Sequence, residues 1–321
     1  MKKNVLALIL CLCLVFSAAC AAGDSTGEKD EDNNKKSEET EVTEEETEAI
    51  EETEAVEETE AVETTDTVPD SDEISIDEQI IIDQDDVVIT VMSYENDEYY
   101  GPTFLVQIEN NTEQNLSMSA YSAVINGIAI DGSLYCDVAA GKKANAELYF
   151  DSADLAISGI TTMKDIEVIF EGYDPDTYDT LFMSDIAAFS TTADASSVQT
   201  IDDSGTVVYD DKGIRVIMKE TIQEDEFGDT YIVFFVENST DAEICLYSED
   251  VSVNGIMIDP IYASIVPAGK VDFEDMCFWA SNLEENEITE INEIEFSLYC
   301  FDWDSLDDIF NTESITFTVT K

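Results

Sequence analysis

Two Asp-rich segments have the residue types and the spacing of a site for a hard cation. Their carboxylates are Asp174, Asp176 and Asp179 in the first segment, and Asp302, Asp304 and Asp307 in the second. Carboxylates at alternate positions of a turn can direct oxygen atoms at one ion, and oxygen is the ligand that calcium takes. Neither segment has the glycine and the terminal glutamate of an EF-hand loop. Calcium is therefore the one cofactor that the sequence suggests, as a hypothesis.

The same segments allow a purely structural interpretation, which the sequence favours over calcium binding. The pairs Asp176–Thr177 and Asp304–Ser305 are residue types that cap the first turn of a helix. Apolar side chains would then pack beneath each capped turn, and they are Leu181, Phe182, Ile309 and Phe310.

A second candidate site is the loop 94–100, which reads Tyr-Glu-Asn-Asp-Glu-Tyr-Tyr. Exposed rings of Tyr99 and Tyr100 beside carboxylates could stack on the sugars of a wall glycan or receive a basic peptide. The equivalent loop 223–227 keeps the acidity but has one aromatic residue. The favoured alternative is a solvated hairpin loop with one ring folded back on the sheet.

Composition excludes several classes of function. The chain has 321 residues and a net charge of −62, with 13 Lys and Arg, 75 Asp and Glu, and no histidine. Without histidine there is no Ser-His or Cys-His nucleophile pair and no imidazole ligand. Few cations also means no nucleic-acid partner, because phosphate binding depends on Lys and Arg. A field of this sign attracts cations and basic proteins.

Carboxylate pairs could in principle serve a glycosidase, because such enzymes use two acidic residues. With 75 acidic residues, pairs arise by chance. The sequence contains no nucleophile elbow and no Gly-rich phosphate loop. We therefore predict that the protein is not an enzyme, with an extracytoplasmic hydrolase as the alternative.

Residues 74–321 contain two copies of one sequence repeat, and equivalent positions are about 128 residues apart. The clearest repeated motifs are Glu-Asn-Asn/Ser-Thr (109–112 and 237–240), Asn-Gly-Ile (126–128 and 254–256) and Ala-Gly-Lys (140–142 and 268–270). We predict domain 1 at residues 74–192, a linker at 193–205 and domain 2 at 206–321. Each domain has an ordinary size for a single core.

Within each unit the pattern is that of strands. Segments such as 103–108 and 231–236 are rich in β-branched and aromatic residues. Turn residues recur about every ten positions, and Asn-Gly suits a type I′ turn. Single helical turns are predicted at 151–157, 176–182 and 282–287. The sequence thus predicts an all-β chain with a β-sandwich of about seven strands in each unit.

This order of turn motifs resembles the immunoglobulin-like modules of uncharacterised Gram-positive lipoproteins. The resemblance covers residues 74–321 in two copies and implies a surface module without implying an activity. The paired cysteines of true immunoglobulin domains are missing. Cys136, Cys245, Cys277 and Cys300 are expected to be small buried residues, and a bridge from Cys245 to Cys277 or Cys300 is the alternative.

The first 23 residues have the features of an export signal. Lys2 and Lys3 precede an apolar run, Val5 to Phe16, and Ser17-Ala18-Ala19 leads to Cys20. The segment resembles a bacterial lipoprotein signal peptide, although Ser17 stands where leucine is usual. The resemblance implies removal of residues 1–19 and acylation of Cys20. Ordinary secretion is the alternative, because Ser17-x-Ala19 also fits a cleavage rule.

Residues 20–73 form a stalk that is rich in Glu and Thr, and residues 47–62 within it contain a short Thr-Glu-Ala repeat. High charge with few apolar residues predicts disorder. The combined prediction is a lipid-anchored protein on the extracytoplasmic face of the cell membrane, which contacts the membrane through its lipid only. Its role would be binding or presentation through two immunoglobulin-like domains. A calcium-dependent adhesion or accessory subunit is the alternative, and a basic protein or wall glycan is the expected partner.

Overall fold

The computed structural model describes residues 74–97, 100–193, 196–225 and 227–319. The leader, Cys20, the stalk and Tyr99 lie outside these residues. All described residues belong to one compact unit. The division into domains 74–192 and 206–321 therefore stays a prediction, and the two copies are called the first and second repeat below.

The first repeat is built from strands and one short helix. Its elements are β1 (Gln79–Gln84), β2 (Val87–Asp97), β3 (Gly101–Asn110), β4 (Leu116–Ile125), β5 (Ile128–Ile130), β6 (Gly132–Ser133), β7 (Tyr135–Val138), β8 (Lys142–Phe150), α1 (Ser152–Ile157), β9 (Asp165–Tyr173), β10 (Thr180–Met183) and β11 (Ala187–Ser190).

The second repeat has nearly the same order of elements. They are β12 (Thr206–Asp211), β13 (Ile214–Glu224), β14 (Thr230–Asn238), β15 (Ile244–Val253), β16 (Ile256–Met257), β17 (Ala263–Val266), β18 (Val271–Phe278), α2 (Ala280–Glu285), β19 (Glu293–Asp302), β20 (Asp308–Asn311) and β21 (Ile315–Thr318). The prediction of an all-β chain is confirmed.

Three sheets contain these strands. One has the order β1-β2-β3-β8-β6 and belongs to the first repeat. A second has the order β16-β15-β19-β20, with β17 on β15 and β21 on β19, and belongs to the second repeat. The largest has the order β10-β9-β4-β5-β18-β14-β13-β12 and contains strands of both repeats. The repeats meet where β5 pairs in parallel with β18, through Ile128 and Val271.

Two buried clusters form the core. The second cluster contains the inward residues of the second repeat, such as Phe234, Phe296 and Leu298. The first cluster contains the first repeat's core and also buried side chains of the second repeat, including Val233, Phe235 and Phe273. Strand β14 therefore buries both of its faces, which explains why its sequence is a continuous apolar run.

The Asn-Gly motifs form the predicted type I′ geometry. Both central residues have positive φ in each copy: 54° and 88° at Asn126–Gly127, and 52° and 79° at Asn254–Gly255. The asparagine side chain also fastens the strand that follows the helix. Oδ1 of Asn254 accepts bonds from the backbone N–H groups of Asn292 and Glu293, at 2.9 and 3.1 Å.

The Glu-Asn-Asn/Ser-Thr motifs repeat because their first asparagine is buried and fully bonded. Nδ2 of Asn238 donates to the carbonyls of Ala242 and Val266 at 2.8 and 2.9 Å, and Oδ1 accepts from Thr240. Asn110 makes the equivalent bonds in the first repeat. These motifs are structural and do not point to a ligand.

Two of the three predicted helical turns are present, as α1 and α2. The third, 176–182, is wrong because Thr180–Met183 extends as β10 and pairs with β9. None of the helices in the described ranges combines the length and the apolar character that a membrane span requires.

Candidate functional site

The Asp-rich segments are tight turns held by their own first carboxylate. Oδ1 of Asp174 accepts the backbone N–H groups of Asp176 and Thr177 at 2.8 and 3.0 Å. In the second repeat, Oδ1 of Asp302 accepts the N–H of Ser305 at 2.7 Å, and this bond helps to lower the pKa of Asp302. The capping residue is therefore Asp174 or Asp302, and the prediction of Asp176 and Asp304 as caps is wrong.

The other carboxylates of these turns do not converge on a common point. Oδ2 of Asp179 accepts a bond from the hydroxyl of Thr177 at 3.0 Å. Within the described part of the chain, no group of three or more His, Cys, Asp or Glu side chains is arranged to hold a metal ion. Calcium binding by Asp174, Asp176, Asp179, Asp302, Asp304 and Asp307 thus stays a prediction from sequence, without support from the geometry of the turns.

The loop after β2 places one of its predicted aromatic residues on the sheet. The ring of Tyr100 lies 4.8 Å from the ring of Tyr149, centroid to centroid, and its backbone N–H donates to Asp97. Tyr100 is 41% exposed. This matches the favoured interpretation of a hairpin loop with one ring folded back, whereas Tyr99 lies outside the described residues.

The four cysteines at positions 136, 245, 277 and 300 are free. Cys245 and Cys300 lie on neighbouring strands, β15 and β19. Cys300 points into the second core cluster, whereas Cys245 alternates with the core residues Ile244 and Leu246 and is buried on the opposite face of the sheet. A bridge between Cys245 and Cys300 would therefore have to pass through the sheet.

Two surface depressions have small volumes. One, beside Asn126 and Gln199, has a volume of about 160 Å³, and another, beside Asp137 and Pro175, has about 260 Å³. Small-molecule sites occupy about 300–1,000 Å³. Neither depression reaches that range.

Sequence reasoning missed a group of carboxylates where the two repeats meet. Asp131 and Asp154 of the first repeat lie close to Asp272, Glu274 and Asp275 on β18 of the second. We call these five side chains the carboxylate cluster. It forms because β18 packs beside both β5 and α1, and β18 has acidic residues at three of its eight positions. The run Asp272-Phe-Glu-Asp275 was the only sequence signal.

Burial and mutual repulsion both disfavour the charged forms in this cluster. Burial, together with the charges of Asp131, Asp151, Asp275 and Asp272, raises the pKa of Asp154 to about 7. Burial, followed by the charges of its neighbours, raises the pKa of Glu274 well above its ordinary value. The cluster can therefore take up protons near neutral pH.

Two hydroxyl groups adjoin the cluster. Oγ of Ser264 donates to Oδ2 of the buried Asp272. The hydroxyl of Tyr262 is buried and has no hydrogen-bond partner among the described residues, and the charges of Asp272 and Glu274 help to raise its pKa.

No protein-family model matches the chain, and no curated protein matches it. A protein of unknown function from Porphyromonas gingivalis W83 is similar in structure at 10% identity, over 67% of this chain and 90% of its own, with a TM-score of 0.19.

Two further solved structures are similar. The YadV chaperone matches at 9% identity, over 71% of this chain and 98% of its own, with a TM-score of 0.23. The Salmonella enterica SafA pilin in complex with the SafB chaperone matches at 12% identity, over 67% and 88%, with a TM-score of 0.20.

Proposed function

We propose that this chain is a non-catalytic binding or presentation protein, anchored through acyl groups on Cys20 to the extracytoplasmic face of a bacterial cell membrane. The stalk 20–73 would carry the folded repeats away from the bilayer. The leader and the acidic, Thr-rich stalk support the proposed location at the membrane. The β-sandwich repeats support the binding role.

One observation carries the binding role. Aromatic side chains stand exposed on strands and turns, as with Tyr135 on β7 at 65% and Tyr178 in the turn after β9 at 77% exposure. Exposed rings with polar tips are typical of surfaces that bind other molecules. The described depressions, by contrast, are smaller than a ligand pocket.

Anchoring is tested by expressing the full chain and its Cys20→Ala variant in a Gram-positive host. The expected result is incorporation of an alkyne-labelled palmitate analogue and recovery with membranes for the unaltered chain, and neither for the variant. Recovery of both forms from the culture medium would support ordinary secretion instead.

The binding role is tested by capture. The full chain, purified in detergent, is used to retain proteins and glycans from a solubilised cell envelope. Retention of a defined partner without chemical change to it supports the proposal. Turnover of a polysaccharide in an activity screen would support the hydrolase alternative.

A further inference from the structure

Four aromatic rings follow one another on the outer face of the second repeat. Tyr247 and Tyr299 are opposite each other on β15 and β19, with ring centroids 5.1 Å apart. Phe301 follows Tyr299 at 5.9 Å, and Trp303 follows Phe301 at 6.0 Å. The intervening residues of β19 belong to the core, so Tyr299 and Phe301 lie on the opposite face of the strand. On that face Tyr299 is half-buried, and Phe301 is 6% exposed beneath its neighbours.

Trp303 joins this series of rings to the first repeat. Its Nε1–H donates to the hydroxyl oxygen of Tyr121 at 2.8 Å. Tyr121 is the extra residue of a bulge in β4, between Ala120 opposite Phe170 and Ser122 opposite Ile169. A bulge redirects the side chain that it carries. Tyr121 is 42% exposed and bridges the two repeats at the surface.

Three more tyrosines continue the surface on the first repeat. Tyr135 and Tyr173 stand on the strands that flank β4, beside Ser119 and Ser117 respectively. The ring of Tyr178 stacks on Tyr173 at 6.0 Å with an interplanar angle of 24°. These three tyrosines, Tyr121 and the four rings of the second repeat are called the aromatic belt.

The charged groups that bond to the belt tyrosines or shift their pKa values are carboxylates. The hydroxyl of Tyr135 donates to Asp137 at 3.0 Å, and the hydroxyl of Tyr299 donates to Asp308. Burial raises the pKa of Tyr121, and the charges of Glu243 and Glu171 raise it further. Burial and the charge of Glu249 likewise raise the pKa of Tyr247.

A lysine borders the belt, but it is already paired. Nζ of Lys270 lies 2.6 Å from Oε1 of Glu167, which stands on the same face of β9 as Tyr173. No Lys or Arg is among the charged groups that perturb the belt tyrosines Tyr121, Tyr173, Tyr247 and Tyr299. The surface therefore offers aromatic faces inside a negative field.

We propose that the aromatic belt is the docking surface for an extended, arginine- and lysine-rich segment of a partner protein. This inference rests on the proposed binding function and names its surface and partner class. A guanidinium group can lie on a ring face while its N–H groups bond to a neighbouring carboxylate. The belt provides that combination repeatedly, because its tyrosines alternate with Asp and Glu.

Charge complementarity selects this occupant over others. A second copy of the chain would bring a net charge of −62, and the chain's own stalk is acidic too. Both would be repelled by the belt carboxylates. A neutral glycan could stack on the rings but would gain nothing from the surrounding charge.

The test measures binding of fluorescein-labelled deca-arginine to the full chain in detergent, at about 0.15 M salt. The Tyr135→Ala/Tyr178→Ala double variant removes two exposed rings that the core does not need. We expect its affinity to be about tenfold weaker. The matched control is Phe227→Ala, an aromatic residue that is 79% exposed and lies outside the belt. Its affinity should stay unchanged.

Equal affinity of the double variant and the unaltered chain would overturn the proposal, as would an equal loss in the Phe227→Ala control. Two further probes address the charge and the partner class. Deca-glutamate should not bind. Binding of chitohexaose that depends on Tyr135 and Tyr178, with no such dependence for deca-arginine, would assign the belt to glycans and overturn the proposal.

A deca-arginine peptide carrying benzophenone locates the contact. Cross-links should fall in β4, β7 and β19, and cross-links confined to residues 24–72 would overturn the belt assignment. The envelope capture separates the two proposals. If the double variant retains the same partners as the unaltered chain, the belt assignment fails and the binding function stands. If neither form retains a partner, the binding function fails. The deca-arginine affinities alone then test whether the belt is a docking surface.

Discussion

The hydroxyl of Ser264 donates a hydrogen bond of 2.5 Å to Oδ2 of Asp272, within the carboxylate cluster. Asp272 is 6% exposed, and burial together with the charge of Asp131 raises its pKa, while the bond from Ser264 acts in the opposite direction. Ser264 thus bonds one of several carboxylates that come from both repeats. The stability of the fold should consequently depend on protonation of this cluster.

The first prediction concerns pH and Asp154. Its pKa is about 7 in the folded chain and has an ordinary value of 3.8 when exposed, so the folded state holds the proton more tightly. This contribution to stability is fully present below about pH 4 and is lost as pH rises through about 7. Asp154→Asn cannot ionise. It should raise stability at about pH 8 by about 2–4 kcal/mol and have little effect at about pH 4.

Thermal unfolding followed by circular dichroism across this pH range measures the effect. The exposed residue Asp241 offers a charge-matched control, because Asp241→Asn removes the same charge at a position outside the cluster. Parallel pH dependence for the two variants would contradict a special role for the cluster.

The second prediction concerns the buried asparagine of the repeated motif. Asn238→Ala removes the partners of two backbone carbonyls and of the Thr240 N–H. A buried polar group left without a partner costs about 1–3 kcal/mol. We expect urea unfolding to show a loss of about 2–4 kcal/mol. The exposed neighbour Asn111→Ala should change stability by less than about 0.5 kcal/mol, and similar losses in both variants would refute the role of the buried bonds.

The third prediction concerns the ion pair between the repeats. Lys270 and Glu167 are partly buried, with side chains 23% and 32% exposed. A double-mutant cycle with Lys270→Met and Glu167→Gln should give a coupling energy of about 0.5–1 kcal/mol, which high salt reduces. The pair Lys143–Glu109 within the first repeat, whose lysine is 55% exposed, should give a smaller value. A coupling of zero would mean that the pair does not fasten the repeats together.

The fourth prediction separates capping from calcium binding at the Asp-rich turns. Asp174→Ala removes the acceptor for two backbone N–H groups and should lower the melting temperature by about 2–4 °C. Asp174→Asn keeps an acceptor oxygen and should lower it less. Addition of calcium should leave the melting temperature of all three proteins unchanged. A rise with calcium in the unaltered chain only would support the cation hypothesis instead.

Local patterns predicted the elements and the turns well. Positive φ at Asn126–Gly127 and Asn254–Gly255 follows from residue type, and the strand segments follow from alternation and β-branching. The segment 176–182 was misread because Asp and Thr favour several kinds of turn. Here pairing of Thr180–Met183 with β9 decided the outcome, and that pairing is a long-range interaction.

Sequence alone determined the β class, the twofold repeat and the acidity, because each depends on residue types and spacing along the chain. Only the tertiary structure decided that β18 lies beside β5, so that Asp272 and Glu274 approach Asp131 and Asp154. It also brought Trp303 to Tyr121, which are 182 residues apart. Such neighbours depend on long-range strand pairing and on how the sheets pack, and both are set by the whole buried surface rather than by any local pattern.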